Sequence, residues 1–218
     1  DVWLGSGQSN MAMTVNRAKD FEKEKTAASH PLIRHFKEES GAATAAQAQA
    51  KGTWLSCTPD NVGGFSAVLY FFGREIQREV GVPIGLINTS VGGTPIESWI
   101  APEVQETKPE LSAALKAQSD AMPKVDPEKA NDDYAAAVEK YKAAKAKAVA
   151  EGTKAPRPPR NAAVVNERKG NYGSLFNGKV APLVPYTLRG MLWYQGEANS
   201  SDSRAPLYVH QLSALVTD

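Results

Sequence analysis

FSAVLYFFGREIQREVGVPIGLINTS, residues 65–90, decides the fold. Phe65, Val68, Leu69, Phe72, Ile76 and Val80 recur at helical spacing, Ser66 is placed to cap the start and Gly81 to stop the end, so a helix with one buried face spans 65–80. Residues 83–89 (PIGLINT) then carry Ile84, Leu86 and Ile87 as the near-continuous apolar run of a parallel strand covered on both faces. Upstream, the short β-prone run 2–4 (VWL) enters Gly5-Ser6-Gly7-Gln8-Ser9-Asn10-Met11, a buried strand followed by a tight turn. Downstream, 188–194 (LRGMLWY) reads as a third core strand ending in Gln195-Gly196-Glu197. All three strands run into small or polar residues at their C-terminal ends, where an open α/β sheet binds ligands. Residues 31–37 read as a strand near the sheet edge and 53–57 as a short strand before a turn at 58–61, while 41–52 suggest no regular structure.

The 218 residues (23.4 kDa), with 42% hydrophobic and 22% charged side chains, suit one globular domain and exclude a disordered or collagen-like chain. Lys and Arg number 25 against 24 Asp and Glu, a net charge of +1, so no global field steers the chain to nucleic acid or an anionic membrane. Specificity must come from a site. The single cysteine, Cys57, rules out an internal disulfide and a CxxC redox pair. No apolar run approaches the roughly 20 residues of a membrane helix, and no basic, apolar leader is present. The sequence opens at Asp1 inside a strand-like segment, which raises the expectation that it was cut from a longer chain.

A compositionally different stretch, about 103–170, holds 13 Lys plus Arg and 11 Asp plus Glu. Residues 131–150 favour an amphipathic helix with Tyr134, Val138, Tyr141 and Ala148 on one stripe, 111–122 favour another, and the two could pair as a hairpin. Ala155-Pro156-Arg157-Pro158-Pro159-Arg160 must be extended. A nucleic-acid or partner-binding arm and a solvated insertion both fit this composition. The second fits better, because stacking aromatics are not interleaved with the basic residues.

Ser9 leaves a buried strand through two glycines and sits where a helix could begin, an address suited to a nucleophile or to an ordinary helix cap. Met11 stands where a Gly-x-Ser-x-Gly elbow would have its last glycine, which counts against the α/β-hydrolase arrangement. Gly92-Gly93-Thr94 follows the 83–89 strand, and paired glycines there either aim a backbone N–H at a ligand or form a tight turn. Phosphate-cradling loops are absent. Gln195 could donate to the same oxyanion or be a polar strand end.

The combination resembles the sialate O-acetylesterase branch of the SGNH hydrolases, serine esterases of three-layer α/β/α flavodoxin-like fold with a parallel sheet. The resemblance rests on DVWLGSGQSNM at 1–11, FSAVLYFFGREI at 65–76, INTSVGGTPIESW at 87–99, LFNGKVAPLVPY at 175–186 and LRGMLWYQGEAN at 188–199. It implies one esterase domain over 1–218, with 103–170 a family-variable insertion. It also implies Ser9 as nucleophile and a three-donor oxyanion hole from the backbone N–H groups of Ser9 and Gly93 and the side chain of Gln195. Asn10, Gly92, Thr94, Glu97 and Glu197 would hold loops or contact the sugar. Acetylated carbohydrate is the implied substrate, with no metal or organic cofactor implied, and a secreted, periplasmic or lysosomal setting follows from the family alone.

The family takes its acid and base from an Asp-x-x-His block near the C-terminus, and this sequence has none. Its histidines are His30, His35 and His210. The first two flank or lie in the edge strand and the third in an amphipathic helix over 206–216, so catalytic His and Asp are expected outside this chain. A five-strand flavodoxin-like sheet points the same way, since only one helix follows the third core strand. Two other readings remain open: an esterase for acetylated xylan or another polysaccharide, and a non-catalytic carbohydrate-binding module.

Overall fold

The computed structural model describes residues 1–120, 125–163 and 172–217. Five strands form one sheet: β1 (Val2–Gly7), β2 (His30–Glu38), β3 (Gly52–Cys57), β4 (Ile84–Asn88) and β5 (Gly190–Tyr194), in the order β3-β2-β4-β1-β5. Four run parallel and β3 is antiparallel at the edge. The register sets Leu4 beside Ile87 and Met191, and Ile87 beside Phe36, so each strand turns alternate side chains to opposite faces.

Between β3 and β4 runs helix α3 (Ala67–Val80), as its spacing predicts. Ser66 Oγ accepts from Leu69 N–H, and Gly81 ends the helix in the left-handed region at φ 69°. Leu69 and Tyr70 of α3 pack with Ile33, Ile84, Leu86 and Phe65 in one core, and Trp3 and Leu192 lean on it. On the other sheet face Leu4, Ile87 and Leu183 make a second core with Phe36 and Trp54. Leu183 lies in the short helical turns 176–183, which follow from the 175–186 block. A third cluster joins Ile96, Ile100 and Leu111 to Ala214, Trp193 and Leu212. It gathers α4 (Pro102–Thr107), the first turn of α5 (Pro109–Asp120) and α7 (Ala205–Thr217); further helices among the described residues are α1 (Ser9–Ala12), α2 (Phe21–Ala27) and α6 (Pro127–Ala150).

The strand read over 2–4 extends to Gly7, because Ser6 and Gly7 continue the ladder to β5. The sheet reaches five strands with β3 as an antiparallel edge, so strand count gives no ground for expecting a further strand. The chain divides into two compact units, Asp1–Leu111 with Gly173–Asp218, and Ser112–Tyr172. The second holds most of α5 and all of α6, whose N-cap Asp126 accepts from the N–H groups of Glu128 and Lys129. On α6 Tyr134 is exposed while Val138 and Tyr141 are half-buried, so the stripe is narrower than the sequence suggests. Residues 155–160 carry no regular structure. The last two residues of the helix read over 111–122, and 164–170 of the insertion, lie outside the described residues. No described helix is long and apolar enough to cross a membrane.

Candidate active site

Strands β4 and β5 flank β1 on opposite sides, which makes the C-terminal end of β1 the switch point of the sheet. Three loops meet there. Gly7 closes β1 at φ 127°, and a Cβ on it would fall 2.2 Å from the carbonyl oxygen of Tyr194, so only glycine lets β1 and β5 stay this close. Gln8 N–H donates to that same carbonyl at 2.9 Å, and the chain turns directly into α1.

Ser9 is the first residue of α1 and is exposed, while Met11 two residues on is buried. Apolar anchoring therefore fixes the turn and leaves the hydroxyl outward. Among the described residues the Ser9 hydroxyl makes no hydrogen bond. Its backbone N–H belongs to the first helical turn, where the helix itself offers no acceptor.

The β4 loop comes up beside it. A Cβ built on Gly92 would sit 3.5 Å from the Ser9 Cβ, ordinary van der Waals contact, so the two loops adjoin here. Gly93 has φ 74° and faces open space, and its N–H has no acceptor among the described residues. The loop is braced from behind: Val91 N–H donates to Gly7 O at 3.0 Å, Thr94 Oγ1 to Val91 O at 2.7 Å and Trp99 Nε1 to Thr94 Oγ1 at 3.0 Å.

The third loop, after β5, carries a connected set of polar side chains. Gln195 Nε2 donates to Asn199 Oδ1 at 2.7 Å and to Thr94 O at 3.2 Å, which engages both of its hydrogens. Asn199, 2% exposed, also accepts from Ile96 N–H at 2.9 Å and donates to Glu97 Oε2 at 2.8 Å. Gln211 Nε2 reaches that carboxylate oxygen at 3.4 Å, and Arg204 lies 3.8 Å from the other. Asn10 Nδ2 donates to Glu197 Oε1 at 2.5 Å and so ties the Ser9 helix to this loop.

The structure thus gathers Ser9, Asn10, Gly92, Gly93, Thr94, Gln195 and Glu197 at three adjoining strand ends, with Glu97 buried beneath. Asn199, Arg204 and Gln8 were not singled out from the sequence. Gln8 Oε1 accepts from the N–H groups of Gly196 and Ala198 at 3.5 and 3.3 Å, and Asn199 ends the quoted 188–199 block. Only their pairing partners, about 100 or more residues away in sequence, reveal their roles.

No histidine touches Ser9. His35 is buried, stacks on Phe65 at 4.6 Å and accepts the Ser66 N–H on Nε2, and burial pushes it down to about 4, with the Lys37 ammonium acting in the same direction. His30 is lowered by burial and by Arg74. His210 is exposed on α7. Among the described residues no cluster of His, Cys, Asp and Glu could hold a metal ion.

A family model described as carbohydrate esterase, sialic acid-specific acetylesterase, matches residues 1–152. The sialate O-acetylesterase of Rattus norvegicus is 32% identical over 227 residues, covering 99% of this chain and 38% of that protein. That of Homo sapiens is 29% identical over 231 residues, covering 100% of this chain and 35% of that protein. The chain thus spans well under half the length of these relatives. The crystal structure of a carbohydrate acetylesterase from Xanthomonas citri matches at TM-score 0.69 and 27% identity, over 99% of this chain and 37% of that one.

Proposed function

The chain belongs to the carbohydrate esterase family of sialic acid-specific acetylesterases, and from that premise we propose that it carries the nucleophile and oxyanion half of a serine O-acetylesterase acting on acetylated sugars. The observation that carries this reading is the exposed Ser9 hydroxyl, unpaired and beside Gly92, at the switch point of the sheet. Ser9 Oγ attacks the acetyl carbonyl carbon, and the resulting oxyanion accepts from the N–H groups of Ser9 and Gly93. Expulsion of the sugar alkoxide, which takes up a proton, leaves acetyl-Ser9, and water then releases acetate. Each donor of this kind is worth about 2.7–4 kcal/mol in the transition state. Gln195 joins as third donor by giving up its longer bond, to Thr94 O, while Asn199 holds the amide in place. Asn10 and Glu197 hold the loops or meet the sugar, and Thr94 and Glu97 act through the loops they brace.

The base is a histidine supplied from outside these 218 residues, as is its aspartate. The separate placements of His30, His35 and His210 support this, as does the greater length of the relatives. O-acetyl groups on sialic acid are the substrate most in keeping with the family. Acetylated xylan or another polysaccharide is the second reading, and the match to a carbohydrate acetylesterase is compatible with either.

Turnover of p-nitrophenyl acetate by the 218-residue chain and by its Ser9→Ala variant should be indistinguishable from background. Ser9-dependent turnover would overturn the external base and point to one of the three histidines. Acetate release from O-acetylated sialic acid, measured against acetylated xylan with a chain extended to the length of the relatives, decides the substrate. Absence of release from either, with a histidine present in the extension, would favour a non-catalytic carbohydrate-binding module.

A further inference from the structure

A cavity of about 380 Å³ lies on the sheet face opposite the Ser9 helix. Ile87 and Leu183, both buried, form its floor together with Phe36 and Trp54. Its rim is exposed: Tyr186 keeps half its surface open, and Gln49 is solvent-facing. The Ser9 helix instead sends Met11 into the core on the other face, so this cavity is no part of the candidate active site. Its size falls at the lower end of the roughly 300–1,000 Å³ typical of small-ligand sites.

The chemistry of the lining is specific. None of the lining residues is charged, which disfavours a phosphate or a sugar carboxylate. Three aromatic rings contribute, and the Trp54 indole N–H, the Tyr186 hydroxyl and the Gln49 amide make no hydrogen bond to other described residues. Apolar ring surface beside unpaired polar groups matches a pyranose, which has a flat C–H face and a rim of hydroxyls. A hydrocarbon chain would leave the rim groups unused.

The wall is also held in place. Glu39 N–H donates to Lys51 O at 2.8 Å and Gln47 N–H to Asn177 O at 2.9 Å, which pins the 41–52 segment. Beneath it, the buried Lys179 ammonium pairs with the Glu38 carboxylate and donates to Ser40 O at 2.8 Å. A cavity held this way needs little ordering when a ligand arrives.

We propose that this cavity is a second carbohydrate site, seating a neutral pyranose residue against Trp54 and Tyr186 with its hydroxyls on Gln49 and the tyrosine oxygen.

Saturation-transfer NMR on the 218-residue chain tests this with lactose and xylobiose as neutral probes and N-acetylneuraminic acid as the charged comparator. At least one neutral disaccharide should bind, and the acid should show no transfer that Tyr186→Ala weakens. Tyr186→Ala and Gln49→Ala, both at exposed positions and checked for fold by circular dichroism, should weaken binding, the tyrosine change by roughly three- to tenfold. Ser9→Ala should leave binding unchanged, so this result stands apart from the fate of the esterase reading. No transfer from either neutral sugar, transfer from the acid that Tyr186→Ala abolishes, undiminished transfer in both rim variants, or loss in Ser9→Ala would each overturn the proposal.

Discussion

Among the described residues two carboxylates are buried in the sheet-bearing unit, and their surroundings differ in kind. Glu38, at the end of β2, has no exposed side-chain surface; Lys179 lies on one of its oxygens and Ser40 N–H on the other. The Lys179 ammonium makes further bonds to Glu38 O and Ser40 O. That cluster is closed. Glu97, under the three strand-end loops, takes Asn199, Gln211 and the more distant Arg204, in a chain of amides that reaches Gln195. That cluster is open at its edges: Gln195 Oε1 and Gln211 Oε1 are buried and have no protein partner. A satisfied ion pair locks a loop to a sheet, whereas the Glu97 network keeps two buried acceptors without a protein partner.

The difference can be broken most sharply at Lys179. Lys179→Met leaves the Glu38 charge buried without its cation, and urea unfolding should show a loss of about 3–5 kcal/mol. A loss below about 1 kcal/mol would mean that the pocket opens to water and that the cluster is not closed.

His35 lies between the two cases, with Nε2 satisfied by Ser66 and Nδ1 buried without a partner. Its folded value of about 4 lies below the ordinary 6.5, so the unfolded chain binds the proton more readily. The stability contributed is full above pH 6.5 and is lost as pH falls from there to about 4, roughly 3 kcal/mol in all. Urea midpoints should fall across this window in the parent chain and stay flatter in His35→Gln. Equal slopes in the two would place the pH sensitivity elsewhere.

Asn199→Ala should cost least, about 1–3 kcal/mol, because the groups it abandons, Ile96 N–H, Gln195 and Glu97, already lie in a partly unsatisfied network. The variant should remain folded by circular dichroism, with a lowered urea midpoint. A loss as large as that of Lys179→Met would show that the two clusters are equally structural.

Much of the fold was legible because its signals are local. Helix α3 has a cap, a period and a glycine stop within sixteen residues, 66–81, and β4 has an unbroken apolar run. Tyr134 on α6 shows where such reading weakens, since an apolar residue at helical spacing is buried only if something packs over it. The edge pairing of β3, and with it the strand count, depended on a ladder that no local pattern specifies. In the site, Ser9 and Gly93 were visible as motif residues. Asn199 was not, because a lone Asn at a strand end has no meaning until Glu97, 102 positions away, is its partner.

The sequence by itself determined the alternation of helix and parallel strand, the small and polar residues at three strand ends, and the family those blocks resemble, since each depends on neighbours within a few residues. Only the tertiary structure decided that those three ends adjoin, that both Gln195 hydrogens are already engaged, and that Glu38 and Glu97 lie in closed and open surroundings. Hydrogen-bond satisfaction and burial are properties of groups brought together across the sheet, and no stretch of chain contains them alone.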